Sequence, residues 1–166
     1  MNRNLRYDFI RYKQLRRKLD IILLYNSSRA FQAVCLYRLS NFFYQKGYKK
    51  IAIMIKNKSI KNNGCEIGES TKIGRGLRIS HPVGIVISGG AIIGENLTLQ
   101  SGVVIGTNRD DKDQYPIIGN NVYIGAGAKV LGNITIGNNV IIGANSVVLK
   151  SVNDNAIIVG VPGKEK

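Results

Sequence analysis

Ile117-Ile118-Gly119-Asn120-Asn121-Val122-Tyr123-Ile124-Gly125-Ala126-Gly127-Ala128-Lys129-Val130-Leu131-Gly132-Asn133-Ile134-Thr135-Ile136-Gly137 decides the architecture of this 166-residue chain. An aliphatic side chain returns every six residues, at Ile118, Ile124, Val130 and Ile136, and continues to Ile142 and Val148. Glycine follows it at Gly119, Gly125, Gly137 and Gly143. An antiparallel sandwich alternates with period two and spaces its turns at roughly 8–12 residues, so it does not give this period. A six-residue unit reads instead as one short strand plus a turn, with three units closing a coil of about 18 residues. The aliphatic residue points inward, so Ile118 is expected over Ile136 and Ile124 over Ile142. Asn120-Asn121 and Asn138-Asn139 suit the corners, because asparagine tolerates left-handed backbone angles.

The same period extends upstream through Ile67, Ile73, Ile79 and Ile85, and again through Ile93, Leu99 and Ile105. It breaks twice. The step from Ile85 to Ile93 is eight residues, and the step from Ile105 to Ile118 is thirteen. The second break carries the polar run Thr107 to Pro116. A loop thrown out of a regular solenoid is a place to look for function. Of the 19 glycines, 18 lie from Gly64 onward, where they mark turns.

Before Lys61 the pattern is helical. The spacing predicts a first helix over Arg6 to Leu24, a second from a cap at Ser27 or Ser28 to Gln45 with Gly47 as its stop, and a third over Tyr48 to Lys56. Phe31, Val34, Cys35, Leu39 and Phe42 are expected to share the inner face of the second. The chain therefore divides into a basic helical segment, residues 1–61, and a β-helix, residues 62–166. Charge divides in the same way. Residues 1–61 hold 15 Lys/Arg against Asp8 and Asp20, while residues 62–166 hold nine against eight acids; the whole chain carries +14.

Cys35 and Cys65 are too few for a disulfide framework and read as reduced thiols of a cytoplasmic protein. No signal peptide is expected, because Met1 to Lys18 is charged throughout and the first apolar run, Ile21 to Tyr25, is too short for a signal core; no apolar run is long enough to span a bilayer. A basic helical segment that mixes Arg16-Arg17-Lys18 with Ile21-Ile22-Leu23-Leu24-Tyr25 and Phe42-Phe43-Tyr44 suits either a solvated cap over the open end of the solenoid or contact with an anionic membrane surface at the inner face. No nucleic-acid motif accompanies the charge.

His81 is the sole histidine, in Ile79-Ser80-His81-Pro82, beside the first break. It is the one side chain with an ordinary pKa near neutrality, which suits a general base. Glu66 and Glu69 lie roughly one coil below and are candidates to orient its imidazole. One histidine and two cysteines do not make the usual zinc sets, so no metal is expected.

Gly64-Cys65-Glu66-Ile67-Gly68, His81, Gly102-Val103-Val104-Ile105-Gly106, Ile124-Gly125-Ala126-Gly127-Ala128-Lys129-Val130-Leu131-Gly132-Asn133-Ile134 and Gly160-Val161-Pro162 resemble the hexapeptide-repeat serine acetyltransferases, over about residues 62–163. The resemblance implies a left-handed parallel β-helix, a homotrimer and acetyl transfer from acetyl-CoA. Within it, His81 matches the catalytic histidine and Glu66 stands at the aspartate that orients it. Gly106, Ala126 and Ala144 fall where backbone lines the CoA arm. Two features depart from that pattern. Gln114-Tyr115 replaces the Arg-His pair that grips serine, and Ser80 replaces the aspartate before the catalytic histidine. The run Cys35-Leu36-Tyr37-Arg38-Leu39-Ser40 also resembles colanic-acid-type and capsular polysaccharide acetyltransferases. That resemblance implies O-acetylation of a saccharide acceptor in capsular or exopolysaccharide biosynthesis, with serine O-acetylation for cysteine biosynthesis as the alternative. In either case His81 removes the hydroxyl proton as the oxygen attacks the thioester, and backbone N–H groups near the second loop meet the oxyanion.

Overall fold

The computed structural model describes residues 3–12, 18–108 and 114–166, and builds them into a helical segment followed by a parallel β-helix. Helices α1 (Arg3–Tyr12), α2 (Lys18–Ser27), α3 (Arg29–Gln45) and α4 (Lys49–Asn63) come first. The first coil is β1 (Cys65–Ile67), β2 (Lys72–Ile73) and β3 (Arg78–Ile79), and the second is β4 (Ile85–Ile87), β5 (Ile92–Ile93) and β6 (Thr98–Leu99). The third holds β7 (Val104–Gly106), β8 (Ile117–Ile118) and β9 (Tyr123–Ile124), and the fourth β10 (Lys129–Leu131), β11 (Thr135–Ile136) and β12 (Ile141–Ile142). β13 (Val147–Val148) and β14 (Ile157–Val159) follow, and β15 (Lys164–Glu165) turns back antiparallel on β14.

Each strand through β13 stacks on the one three before it, and β14 stacks on β12, giving three parallel walls: β1-β4-β7-β10-β13, then β2-β5-β8-β11, then β3-β6-β9-β12-β14. Ile118 pairs with Ile136 and Ile124 with Ile142, as the period requires. The prism is filled by this aliphatic ladder, with Ile79, Leu99, Ile105, Ile124, Ile136 and Ile142 all fully buried. Burial between neighbouring coils is what stabilises such a solenoid. Asn121 and Asn139 take φ of 58° and 57°, and their side chains form a ladder, Asn121 donating to Asn139 at 3.0 Å and Asn139 to Asn155 at 3.0 Å.

The register moves the first break. Ile67 pairs with Ile87, Ile73 with Ile93 and Ile79 with Leu99. The two extra residues therefore lie between Ile79 and Ile87, and not after Ile85. Ile85 and Ile87 both face inward, so the period alone could not say which of them holds the repeat position. The corrected break contains His81. The second break falls between β7 and β8 as expected, with residues 109–113 outside those described.

The helical segment departs from expectation in two places. The expected first helix, Arg6 to Leu24, is helical wherever it is described, within α1 and α2, and residues 13–17, including Arg16 and Arg17, lie outside the described residues. The third helix runs on to Asn63 and stops at Gly64, whose φ of 62° is left-handed. Its buried stripe is Ala52, Ser59 and Asn63, too small and polar to read as a core face. On α3, capped by Ser28 accepting from the Phe31 N–H at 3.2 Å, Leu39 and Phe42 are each 47% exposed. Phe31 and Val34 are fully buried and Cys35 half-buried, as expected, and the inner face is completed by Tyr37 and Arg38.

The reason is the open end of the solenoid. The first coil presents strand-edge N–H and C=O groups that have no strand to pair with, and an unpaired edge is costly and adhesive. Side chains of the helices satisfy them. The Tyr37 hydroxyl donates to Thr71 C=O at 2.9 Å and accepts from the Ile73 N–H at 3.2 Å. Arg38 donates to the carbonyls of Ile73 and Gly74, each at 2.6 Å, and to Asp8 at 2.7 and 3.0 Å. Asp8 also accepts from the Leu77 N–H at 2.8 Å, and the Tyr12 hydroxyl accepts from the Ile79 N–H at 2.8 Å.

This contact carries an alkaline signature. Burial pushes the Tyr37 hydroxyl from 10.0 up to about 12, outweighing the nearby Arg38 charge that lowers it. The unfolded chain therefore loses this proton first as pH rises. The stabilisation is complete below pH 10 and is lost between pH 10 and about 12. Urea unfolding midpoints across that range are expected to fall, and to fall less in Tyr37→Phe, which has no proton to lose.

Candidate active site

One edge of the prism collects most of the candidate residues. At each coil the chain turns there from the β3-β6-β9-β12 wall into the β4-β7-β10-β13 wall. The turns contain His81 to Gly84, Ser101-Gly102, Ala126-Gly127 and Ala144-Asn145. They stack through backbone hydrogen bonds. The Gly102 N–H donates to Val83 C=O at 3.0 Å, Gly127 to Ser101 at 2.8 Å and Asn145 to Ala126 at 2.8 Å. Gly84, Gly102, Gly127 and Asn145 hold φ of 75°, 67°, 71° and 57°. A Cβ on Gly84 would meet Gly102 Cα at 3.3 Å, so the column is close-packed along its length.

His81, Ala126 and Ala144 thus share one edge, each two residues beyond its inward Ile79, Ile124 or Ile142. Gly106 does not. It ends β7 on the neighbouring edge, where its carbonyl accepts from the Gly132 N–H at 2.9 Å and the polar loop leaves the solenoid.

His81 is exposed, projecting in the two-residue widening of its turn. Glu66 is half-buried on β1, in register with Val86, and the two turns meet where Gly84 N–H donates to Gly64 C=O at 2.8 Å. Within one chain no hydrogen bond or ion pair joins His81 to Glu66 among the described contacts. Glu69 is otherwise engaged, bound by Lys56 at 2.9 Å. Partial burial pushes its carboxyl up, but the Lys56 hydrogen bond and charge, with a backbone hydrogen bond, outweigh this and bring it below its ordinary value. Among the described residues no three His, Cys, Asp or Glu side chains gather into a group able to hold a metal ion.

Two supporting contacts were not legible in the sequence. Gln100 donates to the Ser80 hydroxyl at 3.2 Å across one coil, fixing the residue before His81. The ring of Tyr115 lies on Gly90 so closely that a Cβ there would collide with it, which seats the end of the polar loop on the second coil. Neither has a sequence signal, because both pair residues about a coil apart through register alone. The residues Arg109 to Asp113 of that loop lie outside those described.

Residues 115–150 match the bacterial transferase hexapeptide family model of six repeats. A serine acetyltransferase of Staphylococcus xylosus is 42% identical over 149 residues, covering 89% of this chain and 68% of that protein. The chain belongs to the serine acetyltransferase family. Among solved members, a Neisseria gonorrhoeae serine acetyltransferase in complex with serine superposes with a TM-score of 0.84 at 33% identity, over 98% of this chain and 66% of that one. A serine acetyltransferase complex with CoA gives 0.79 at 34% identity, over 84% and 57%. The chain spans about half to two thirds of the length of the curated relatives it matches.

Family membership overturns the saccharide reading. The curated relatives at 37% to 42% identity are serine acetyltransferases, so neither the colanic-acid and capsular resemblance nor a polysaccharide acceptor stands. That reading rested on the run Cys35 to Ser40 and on the departures at Ser80 and Gln114-Tyr115. The structure assigns Tyr37 and Arg38 of that run to the strand edge of the first coil, a packing role that carries no information about an acceptor.

Proposed function

We propose that this chain is an acetyl-CoA-dependent serine O-acetyltransferase with His81 as general base. What supports the reading is family membership over 89% of the chain, together with the placement of its sole histidine, exposed, on the widened edge of the solenoid. In this mechanism the His81 imidazole takes the proton of the serine hydroxyl as its oxygen attacks the thioester carbonyl. The tetrahedral intermediate then expels the CoA thiolate, which takes the proton from the imidazolium. Glu66 orients the imidazole and favours its charged form. Ala126 and Ala144 offer backbone to the CoA arm along the edge that carries His81, and Gly106 does so from the neighbouring edge.

The reading includes a homotrimer. In support, Tyr123, Ile141 and Ile157 form an outward apolar row on one wall, 38% to 44% exposed, which a second copy would cover. It also includes a cytoplasmic location, which the two free cysteines, Cys35 and Cys65, support. A thiol-release assay with acetyl-CoA tests the activity. L-Serine is expected to drive saturable release, and L-alanine, which lacks the hydroxyl, none. Release that does not respond to L-serine would overturn the assignment.

A further inference from the structure

The helical hairpin of α3 and α4 presents a surface that acetyl transfer does not use. Away from their buried faces the two helices and their turn expose Leu39, Phe42, Tyr48, Ile51 and Met54, at 42% to 71% of their full areas, and Ile53 is exposed on the other flank of α4. Phe42 and Tyr48 stack edge-on against Phe43 at 5.6 and 6.2 Å, so the aromatic part is a fixed cluster. Soluble surfaces rarely gather so many large apolar side chains without a partner.

The charge around this patch has one sign. Between Asp20 and Glu66 the chain carries no acidic residue. Of its eight basic residues there, Arg38 is buried against Asp8 and Lys56 is paired with Glu69. Arg29, Lys46, Lys49, Lys50, Lys58 and Lys61 remain exposed. Lys46, Lys49 and Lys50 stand at the hairpin turn, directly between Phe42 and Ile51. Interleaved cations and apolar side chains suit an interface that is anionic outside and hydrocarbon beneath. A partner protein or a second copy of this chain would have to supply the missing anions. A second copy has none to offer from the same face, since residues 21–65 contain no acid.

We infer that the α3–α4 hairpin docks on an anionic lipid bilayer, with Lys46, Lys49 and Lys50 among the headgroups and Phe42, Tyr48, Ile51 and Met54 at the acyl boundary. The contact is peripheral, because no helix among the described residues is long and apolar enough to cross a membrane. The inference is independent of the acceptor.

Vesicle flotation of the full chain tests it. Binding is expected to vesicles of phosphatidylcholine with about a third phosphatidylglycerol, and not to phosphatidylcholine alone, with release as salt rises. A lysine near such a surface contributes roughly fivefold in partitioning, so K49E/K50E is expected to weaken binding by at least about tenfold. M54S, which leaves every charge in place, is expected to weaken the fraction that survives high salt. Thiol release from acetyl-CoA by these variants in solution, unchanged from the parent, shows that they are folded. Absence of binding to the anionic vesicles at low salt, or binding indifferent to K49E/K50E, overturns the inference. So does a mass by light scattering that falls in M54S without lipid, since the face would then be covered by another copy.

Discussion

Replacing His81 by alanine is expected to lower kcat for serine acetylation by roughly 10²–10⁴-fold, the usual contribution of a positioned general base. The side chain is exposed, so its removal opens no cavity and leaves the unfolding midpoint unchanged. Acetyl-CoA affinity, measured by calorimetry, is expected to stay close to the parent's, because the column that carries Ala126 and Ala144 is built from backbone hydrogen bonds. No other histidine can take over, since the chain has one. Glu66→Gln is expected to cost less than His81→Ala, as it acts only through the imidazole. A His81→Ala enzyme turning over within about twofold of the parent would remove the general-base role, because a lost transition-state interaction must appear in kcat.

The solenoid was readable because its signal is redundant. Ile118, Ile124, Val130 and Ile136 each repeat one instruction, and the pairing of Ile118 with Ile136 follows from counting alone. The first break was less readable. Ile85 and Ile87 are both buried on one short strand, so the inward position was ambiguous by two residues until the register resolved it. The helices were least legible. Their inner faces answer to a strand edge as well as to the apolar core, so Tyr37 and Arg38 join Phe31 and Val34 inside while Leu39 and Phe42 face out. The acceptor is not legible at single positions for a related reason: Ser80 and Tyr115 take their contacts, Gln100 and Gly90, from neighbouring coils.

The contact between helices and solenoid makes a second prediction of large size. Arg38 is 5% exposed and Asp8 fully buried, and between them they satisfy the carbonyls of Ile73 and Gly74 and the N–H of Leu77. Arg38→Ala strands a buried carboxylate and leaves both carbonyls without their donor. Breaking such a pair from one side is expected to cost about 3–5 kcal/mol. The cost comes from the group left behind, so removing both charges should be milder. Asp8→Asn/Arg38→Met, which keeps volume and an acceptor for Leu77, is expected to recover part of the loss, with a coupling energy of about 1–3 kcal/mol in a double-mutant cycle. Urea unfolding gives the free energies. Amide exchange at Ile73, Leu77 and Ile79 locates the damage, since these edge groups depend on α1 and α3 while the later coils pair with one another. If Arg38→Ala costs under about 1 kcal/mol, the range of an exposed ion pair, water must already reach Asp8, and the helices do not seal the first coil.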